Sequence, residues 1–208
     1  RVGDFPMSTS FPEVGDVRGR FIAVDRLKFP QVAWFREDFA RGESLGALMN
    51  RLALAPNSVL VSEEVLAETP LQVGDDIVIR VGVNYESHVR TQFKIVGTYS
   101  YFPTVYEDDS AIIGNLDHLS FFMGLVAPHD IWLQLADGVQ GEDVVARIPP
   151  ELGVNTRNVL DTRALVNEEL SKLERIGVFG TLSVGFMAAV VMALMGLLIY
   201  TYASLRDR

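Results

Sequence analysis

Residues 176–205 read IGVFGTLSVGFMAAVVMALMGLLIYTYASL, 30 residues without a charged side chain between Arg175 and Arg206. As an α-helix rising ~1.5 Å per residue, such a run is about 45 Å long. The hydrocarbon core of a bilayer is roughly 30 Å thick and is crossed by about 20 apolar residues. The run is therefore long enough to span, with a polar last turn left for the headgroups. Tyr200 and Tyr202 fall at its C-terminal end, where amphipathic rings favour the membrane–water interface. Buried helices of soluble proteins seldom run this far without a charge, and a cleavable signal peptide is shorter and N-terminal. A transmembrane helix over 176–205 is the reading on which the rest depends.

Outward from the span, the composition divides the chain. The 208 residues carry a net charge of −9, of which 171–208 contribute +2 and 1–170 contribute −11. So acidic a region is unsuited to nucleic acid, whose phosphates require basic patches. The chain has no Cys, which excludes disulfides and thiolate metal sites. It lacks an initiating Met and stops just after the span, so a segment of a longer membrane protein is expected. About 170 residues outside the span suffice for one domain or two small ones.

In chain order, residues 1–19 are rich in Gly, Pro, Ser and Asp and are expected to be irregular. Arg20–Arg26 reads as a first strand. Pro30 is placed to open a helix over QVAWFREDFA, with Val32, Phe35 and Phe39 at helical spacing. Ser44 is expected to cap SLGALMNRLAL, whose Leu45, Leu48, Met49 and Leu52 form one apolar face. SVLVS (58–62) reads as a buried strand, and Ser62 caps a helix that Pro70 ends. Ile77, Ile79 and Val81 alternate on a strand, Asn84–Ser87 turns, and Val89, Thr91, Phe93 and Ile95 alternate on the next. Tyr101–Asp109 reads as a loop and Ala111–Gly114 as a short strand, after which Asn115 caps a helix ending at Gly124. Asp130–Leu135 is expected as a strand, 141–148 as a helix broken by Pro149-Pro150 and Gly153, and VNTRNVL (154–160) as the last strand. Alternating strands and short helices indicate an α+β domain.

Asp161 caps a helix with no Pro from there to the end of the chain, so a single rod from Asp161 to Leu205 is expected. Val166, Leu170, Leu173 and Gly177 form a heptad-like seam on its polar first part, as in a stalk packed against a neighbour. Inside the span, Gly177, Thr181, Gly185, Ala189 and Ala193 recur every fourth residue, a small-residue ridge that lets membrane helices approach closely. Phe179, Met187, Val191, Met195 and Ile199 form a bulkier row.

No catalytic constellation stands out. His88, His118 and His129 lack ligand spacing and read as surface or strand residues. Glu107, Asp108 and Asp109 cluster without the EF-hand pattern and read as a solvated loop. Nucleophile-elbow, P-loop and dinucleotide glycine patterns are missing. A non-enzymatic chain is expected, with no catalytic residue, cofactor or metal.

Four stretches carry a resemblance. VLVSEEVLAETPLQVGDDIVIRV (59–81) with FKIVGTYSY (93–101), RFIAVDRLKFPQVAWFREDF (20–39), and above all ELSKLERIGVFGTLSVGFMAAVVMALMGLLIYTYASLRDR (169–208) resemble permease subunits of the FtsX-like and MacB-like ABC transporter family. The resemblance implies an α+β extracytoplasmic domain over 1–160, a porter-like unit with a β-rich insertion at about 56–128. Arg20–Ala55 and Asp130–Leu160 would make the porter-like unit. A stalk helix (161–175), one transmembrane helix (176–205) and the start of a cytoplasmic region (206–208) follow. It implies a place in the cell (inner) membrane with residues 1–170 outside. The implied partners are an ABC ATPase subunit, other permease helices in a dimer, and an extracytoplasmic cargo or partner protein. The rival from another class is a membrane-anchored extracytoplasmic receptor or sensor; further spans beyond Arg208 would separate the two.

Overall fold

Uninterrupted apolar runs and alternating ones build two kinds of strand into one closed sheet. The computed structural model describes residues 1–11, 15–83, 87–105, 109–154, 157–171 and 173–206. Its chain divides into two units, Arg1–Gln134 and Leu135–Arg208. In the first, β1 (Val2–Phe11), β2 (Gly15–Val24), β3 (Ser58–Ser62), β4 (Asp76–Gly82), β5 (His88–Tyr99) and β6 (Ala111–Asn115) close into a barrel in the order β1-β2-β6-β3-β5-β4. Pairings are antiparallel except β2 with β6 and β3 with β5, which run parallel. Three helices accompany them, α1 (Leu45–Leu52), α2 (Glu63–Glu68) and α3 (Leu116–Met123).

Side chains on a strand alternate between faces, and here each face of the barrel has its own core. Phe5, Met7, Phe21, Ala23, Val59, Val61, Ile77, Ile79, Val81, Phe93, Ile95 and Ile112, drawn from all six strands, form one buried cluster, which fills the interior. The intervening residues Ile22, Val24, Leu60, Val96, Ala111 and Ile113 form a second with Leu45, Leu48, Met49 and Leu52 of α1. Those residues belong to β2, β6, β3 and β5, a contiguous arc that α1 covers from outside. Burial on both faces explains why β3 and β6 are buried at every position, whereas β4, outside the arc, alternates. Each fully buried Leu, Ile or Val contributes roughly 1.5–3 kcal/mol. The Tyr99 hydroxyl, buried in the outer core, donates to the Ala111 carbonyl at 2.7 Å. Burial pushes that phenol far above its ordinary range, so it stays a donor.

The expected caps and strands at 44–62 form as read. Ser44 accepts from the Ala47 N–H at 3.2 Å, and Ser62 from the Val65 N–H at 3.3 Å. Asn115 occupies the N-cap position of α3 without a side-chain capping bond, and Gly124 ends that helix at φ 66°. The turn expected at Asn84–Ser87 falls largely on 84–86, which lie outside the described residues, as do Tyr106, Glu107 and Asp108 of the Tyr101–Asp109 loop.

Five expectations are corrected. Of the expected irregular stretch 1–19, residues 12–14 lie outside the described residues and the rest is not irregular: it supplies all of β1 and the start of β2. Phe5, Met7 and Thr9 alternate inward between exposed Asp4, Pro6 and Ser10. Pro6, with no N–H to donate, sits just past the β1–β4 ladder of Met7↔Val81 and Ser8↔Arg80. Residues 31–40 do not form one helix but contribute to two 3-10 turns, Phe29–Gln31 and Glu37–Ala40. The Phe39 carbonyl accepts from the Ser100 and Tyr101 N–H groups just beyond β5, at 2.8 and 2.9 Å. Asp130–Leu135 makes only the Val2↔Asp130 bridge, and a segment without a ladder neighbour is not a strand.

In the second unit, α4 (Gly141–Leu152) runs through Pro149 and Pro150 and ends at Gly153 with φ 66°. The prolines deprive the Val145 and Ala146 carbonyls of partners, but neither residue is buried, so the carbonyls can turn to water. VNTRNVL forms no strand among its described residues, since Asn158 at φ 51° breaks the extended run.

Gly114 makes the tightest demand on the interior: a Cβ there would meet the Phe21 ring, which packs 5.1 Å from that of Phe93. Gly114→Ala is expected to destabilise the protein by about 1–3 kcal/mol through overpacking. Gly46→Ala, where a Cβ meets nothing closer than Ser44 Oγ at 3.8 Å, is expected to stabilise by about 0.5–1 kcal/mol. Denaturant unfolding of the detergent-solubilised chain, followed by tryptophan fluorescence, measures both.

Candidate functional site

The candidate site is the helical arm of the second unit. Asp161 Oδ1 accepts from the Arg163 N–H at 2.8 Å and its carbonyl from the Leu165 N–H at 3.0 Å, so the expected cap is formed. Behind it runs α5 (Thr162–Ser171), and then α6 (Leu173–Arg206), whose 34 residues make a helix of roughly 51 Å. The expected single rod crosses Lys172, which lies outside the described residues; the chain is helical on both sides of it. Asp207 and Arg208 also lie outside them.

Within α6, Gly180–Tyr202 is long and apolar enough to cross a membrane; its most apolar 18 residues have a mean hydropathy of 2.5, and none of them is buried. Those 23 residues cover about 35 Å, against a hydrocarbon core of roughly 30 Å. Its backbone bonds are internal to the helix, as lipid requires. The Thr201 hydroxyl bonds back to the carbonyls of Leu197 and Leu198, the latter at 3.2 Å, so this polar group near the end of the span has partners within its own helix.

The small-residue ridge falls on one helix. Thr181, Gly185, Ala189 and Ala193 are exposed on α6, and Gly177 lies in its first turns. Steps of four advance about 40° around the axis, so the ridge winds along the helix as the slanted row used in close helix packing. A Cβ at Gly185 meets nothing within 4 Å, and neither does one at Gly180 or Gly196, two small positions off the ridge that add to the smoothness of the helix. In the stalk, Val166 and Leu170 are four residues apart on α5 and about half exposed. Leu173 opens α6.

The titratable side chains of the first unit meet in small ion-pair groups. Among the described residues no three His, Asp or Glu side chains gather where they could hold a metal. Asp109 binds Arg20 at 3.0 Å, and Arg20 also binds Asp4 at 2.6 Å; hydrogen bonding to Asp4 is the main influence raising the guanidinium above its ordinary value. Burial pushes the Asp25 carboxyl up, but the Arg1 guanidinium at 2.9 Å and the Lys28 and Leu27 N–H groups together outweigh it and the net shift is downward. His88 opens β5 on its exposed side, and His129 Nδ1 lies 2.8 Å from the Ala127 carbonyl. His118 is the histidine the sequence reading missed: it is neither on a strand nor freely exposed but on α3, with its Nε2 buried. An isolated histidine in an apolar helix carries no sequence signal for that environment.

No family model matches the chain, and no curated protein matches it. A solved structure that resembles it is a domain provisionally described as part of a permease protein from Porphyromonas gingivalis, at 8% identity and a TM-score of 0.37. The match covers 74% of this chain, which spans 65% of that one.

Gly185→Leu is expected to weaken packing against another membrane helix by holding two backbones apart, while Val190→Leu, off the ridge, has less effect. Disulfide crosslinking between helices in membranes measures this; equal crosslinking of the two variants would remove the ridge as a packing surface.

Proposed function

We propose that this chain belongs to a permease subunit of an ABC transporter of the FtsX-like or MacB-like type, and that it couples ATP hydrolysis in the cytoplasm to movement of an extracytoplasmic α+β domain. One observation carries the reading: a folded unit with two apolar cores is followed in the same chain by a 23-residue apolar helix with no cover of its own. An apolar helix of that length is stable uncovered only in lipid or against other helices. In this mechanism a separate or fused ATPase shifts the membrane helices, the ridge of α6 packs on a neighbouring helix of a dimeric permease, and the arm through α5 carries the displacement outward. The outer unit then acts on a cargo, such as a lipoprotein or peptide, or activates a cell-wall hydrolase.

Residues 1–170 are placed outside the membrane and Arg206–Arg208 inside. With no cysteine of its own, the chain takes single cysteines at Ser100 or Ser204 for labelling in intact cells with a membrane-impermeant thiol reagent. Labelling at Ser100 alone is expected; labelling at Ser204 alone would reverse the orientation and remove the coupling scheme.

Coupling is tested at Gly180, at the head of the span. Gly180→Pro removes one helical hydrogen bond and costs about 3 kcal/mol or more, kinking the arm, whereas Gly180→Ala keeps it straight. In the full-length transporter, Gly180→Pro is expected to leave ATP hydrolysis in place and to abolish transport or hydrolase activation. Normal outer activity in that variant would favour the anchored receptor.

A further inference from the structure

We propose that His118 is a pH-sensitive latch that holds α3 over one end of the barrel and releases it on protonation. The helix follows β6 directly, and its Leu116 and Leu119 are fully part of the interior core, so α3 closes the barrel where they enter. His118 lies between two aromatic rings: Phe93 of the interior, with centroids 5.8 Å apart, and Phe122 one turn further along α3, at 4.8 Å, both edge-on. Its Nε2 is buried and has no hydrogen-bond partner among the described residues. A neutral imidazole tolerates that position at the expense of one lost hydrogen bond, whereas an imidazolium has both ring nitrogens as N–H donors and would bury a charged one without an acceptor.

Among the described residues no carboxylate pairs with His118 to offset that charge. Asp117, next along α3, is exposed and binds Arg1 at 3.2 Å. On β5, Arg90 and Lys94 lie on the exposed face, opposite Phe93. On β2, Arg18 and Arg20 alternate with Phe21, and Arg20 is held by Asp4 and Asp109. The loop after α3 packs back through the Ala127 N–H, which donates to Ser120 Oγ at 3.1 Å; it carries His129, beside the Ala127 carbonyl, and Asp130, whose backbone pairs with Val2. Burial alone lowers the His118 value from the ordinary histidine range.

The sign follows from that shift. The closed form prefers neutral His118 and the open form takes up a proton more readily, so closure is complete above about pH 6.5 and weakens below it. Between the open and closed values the opening equilibrium rises roughly tenfold per pH unit. The weak point of the closure is the second half of α3: Phe121 is 79% exposed and Phe122 47%, and Gly124 ends the helix in a left-handed turn. Moving Phe122 aside hydrates Nε2 and uncovers the apolar end of the barrel.

The test uses the full chain in nanodiscs with 13C-labelled histidine, whose three ring signals are assigned with His118→Phe. The latch predicts that the His118 ring titrates below the ordinary value, and that amide exchange over 116–124, corrected for its intrinsic pH dependence, speeds up as pH falls from 7 to 5. In His118→Phe that pH response should vanish while 116–124 stays protected. Phe122→Ala should move the His118 midpoint back toward 6.5. An ordinary or raised His118 midpoint, unchanged exchange in the wild type, or the same pH response in His118→Phe would each overturn the latch. Should His118→Phe fail to fold, the wild-type titration and Phe122→Ala decide it alone.

Discussion

The first unit depends on one place where a bare backbone meets an aromatic ring. Phe21 stands in the barrel interior against Phe93, and β6 can pair with β2 only because Gly114 offers no side chain to that ring. From that pairing follows the outer arc of β2, β6, β3 and β5, and from the arc the apolar shelf on which α1 lies. A barrel this small is filled by its own side chains. Room for a small molecule is therefore not what the interior supplies, and function has to be sought at its ends, on its outside and in the helical arm.

The long helix of the second unit follows the opposite rule. The first unit places apolar side chains inward and charges outward, as water demands, while Gly180–Tyr202 places apolar side chains outward along its whole length. The two rules meet in a single chain whose charge is divided accordingly, −11 over residues 1–170 and +2 over 171–208. Within the apolar stretch, Thr201 turns its hydroxyl back onto its own helix, which keeps a polar group from depending on a neighbour.

Much of this was legible in the sequence where one local signal dominated. SVLVS has no polar break in its middle and became a strand covered on both faces; Ser44 and Ser62 capped as their positions suggested. The uncharged run made the long apolar helix the plainest feature of all. What escaped depended on partners far away in the chain. The Gly-, Pro- and Ser-rich start became β1 because β2 and β4 supply its ladders, and residues 31–40 contribute to two short turns while their Phe35 and Phe39 rings pack on Phe102 and Tyr101 beyond β5. VNTRNVL looked extended until Asn158 turned left-handed. In the candidate site the positions of the ridge and seam could be read from spacing, but what they face could not. The environment of His118 could not be read at all, since Phe93 lies 25 positions away and reaches it only through the barrel.

The parallel pairings have a consequence for how the chain acquires its shape. The β1–β2 and β4–β5 hairpins join neighbours in sequence, and such contacts form early because little loop entropy opposes them. The seam between Arg20 and Ala111 closes over about 90 residues, and long-range closure of this kind slows folding. Until β6 arrives, the interior faces of β2 and β3 and the shelf for α1 stay open together. A chain that also carries a strongly apolar helix is then at its most prone to wrong association, and the interval before closure, more than the final stability, sets how well the protein is made.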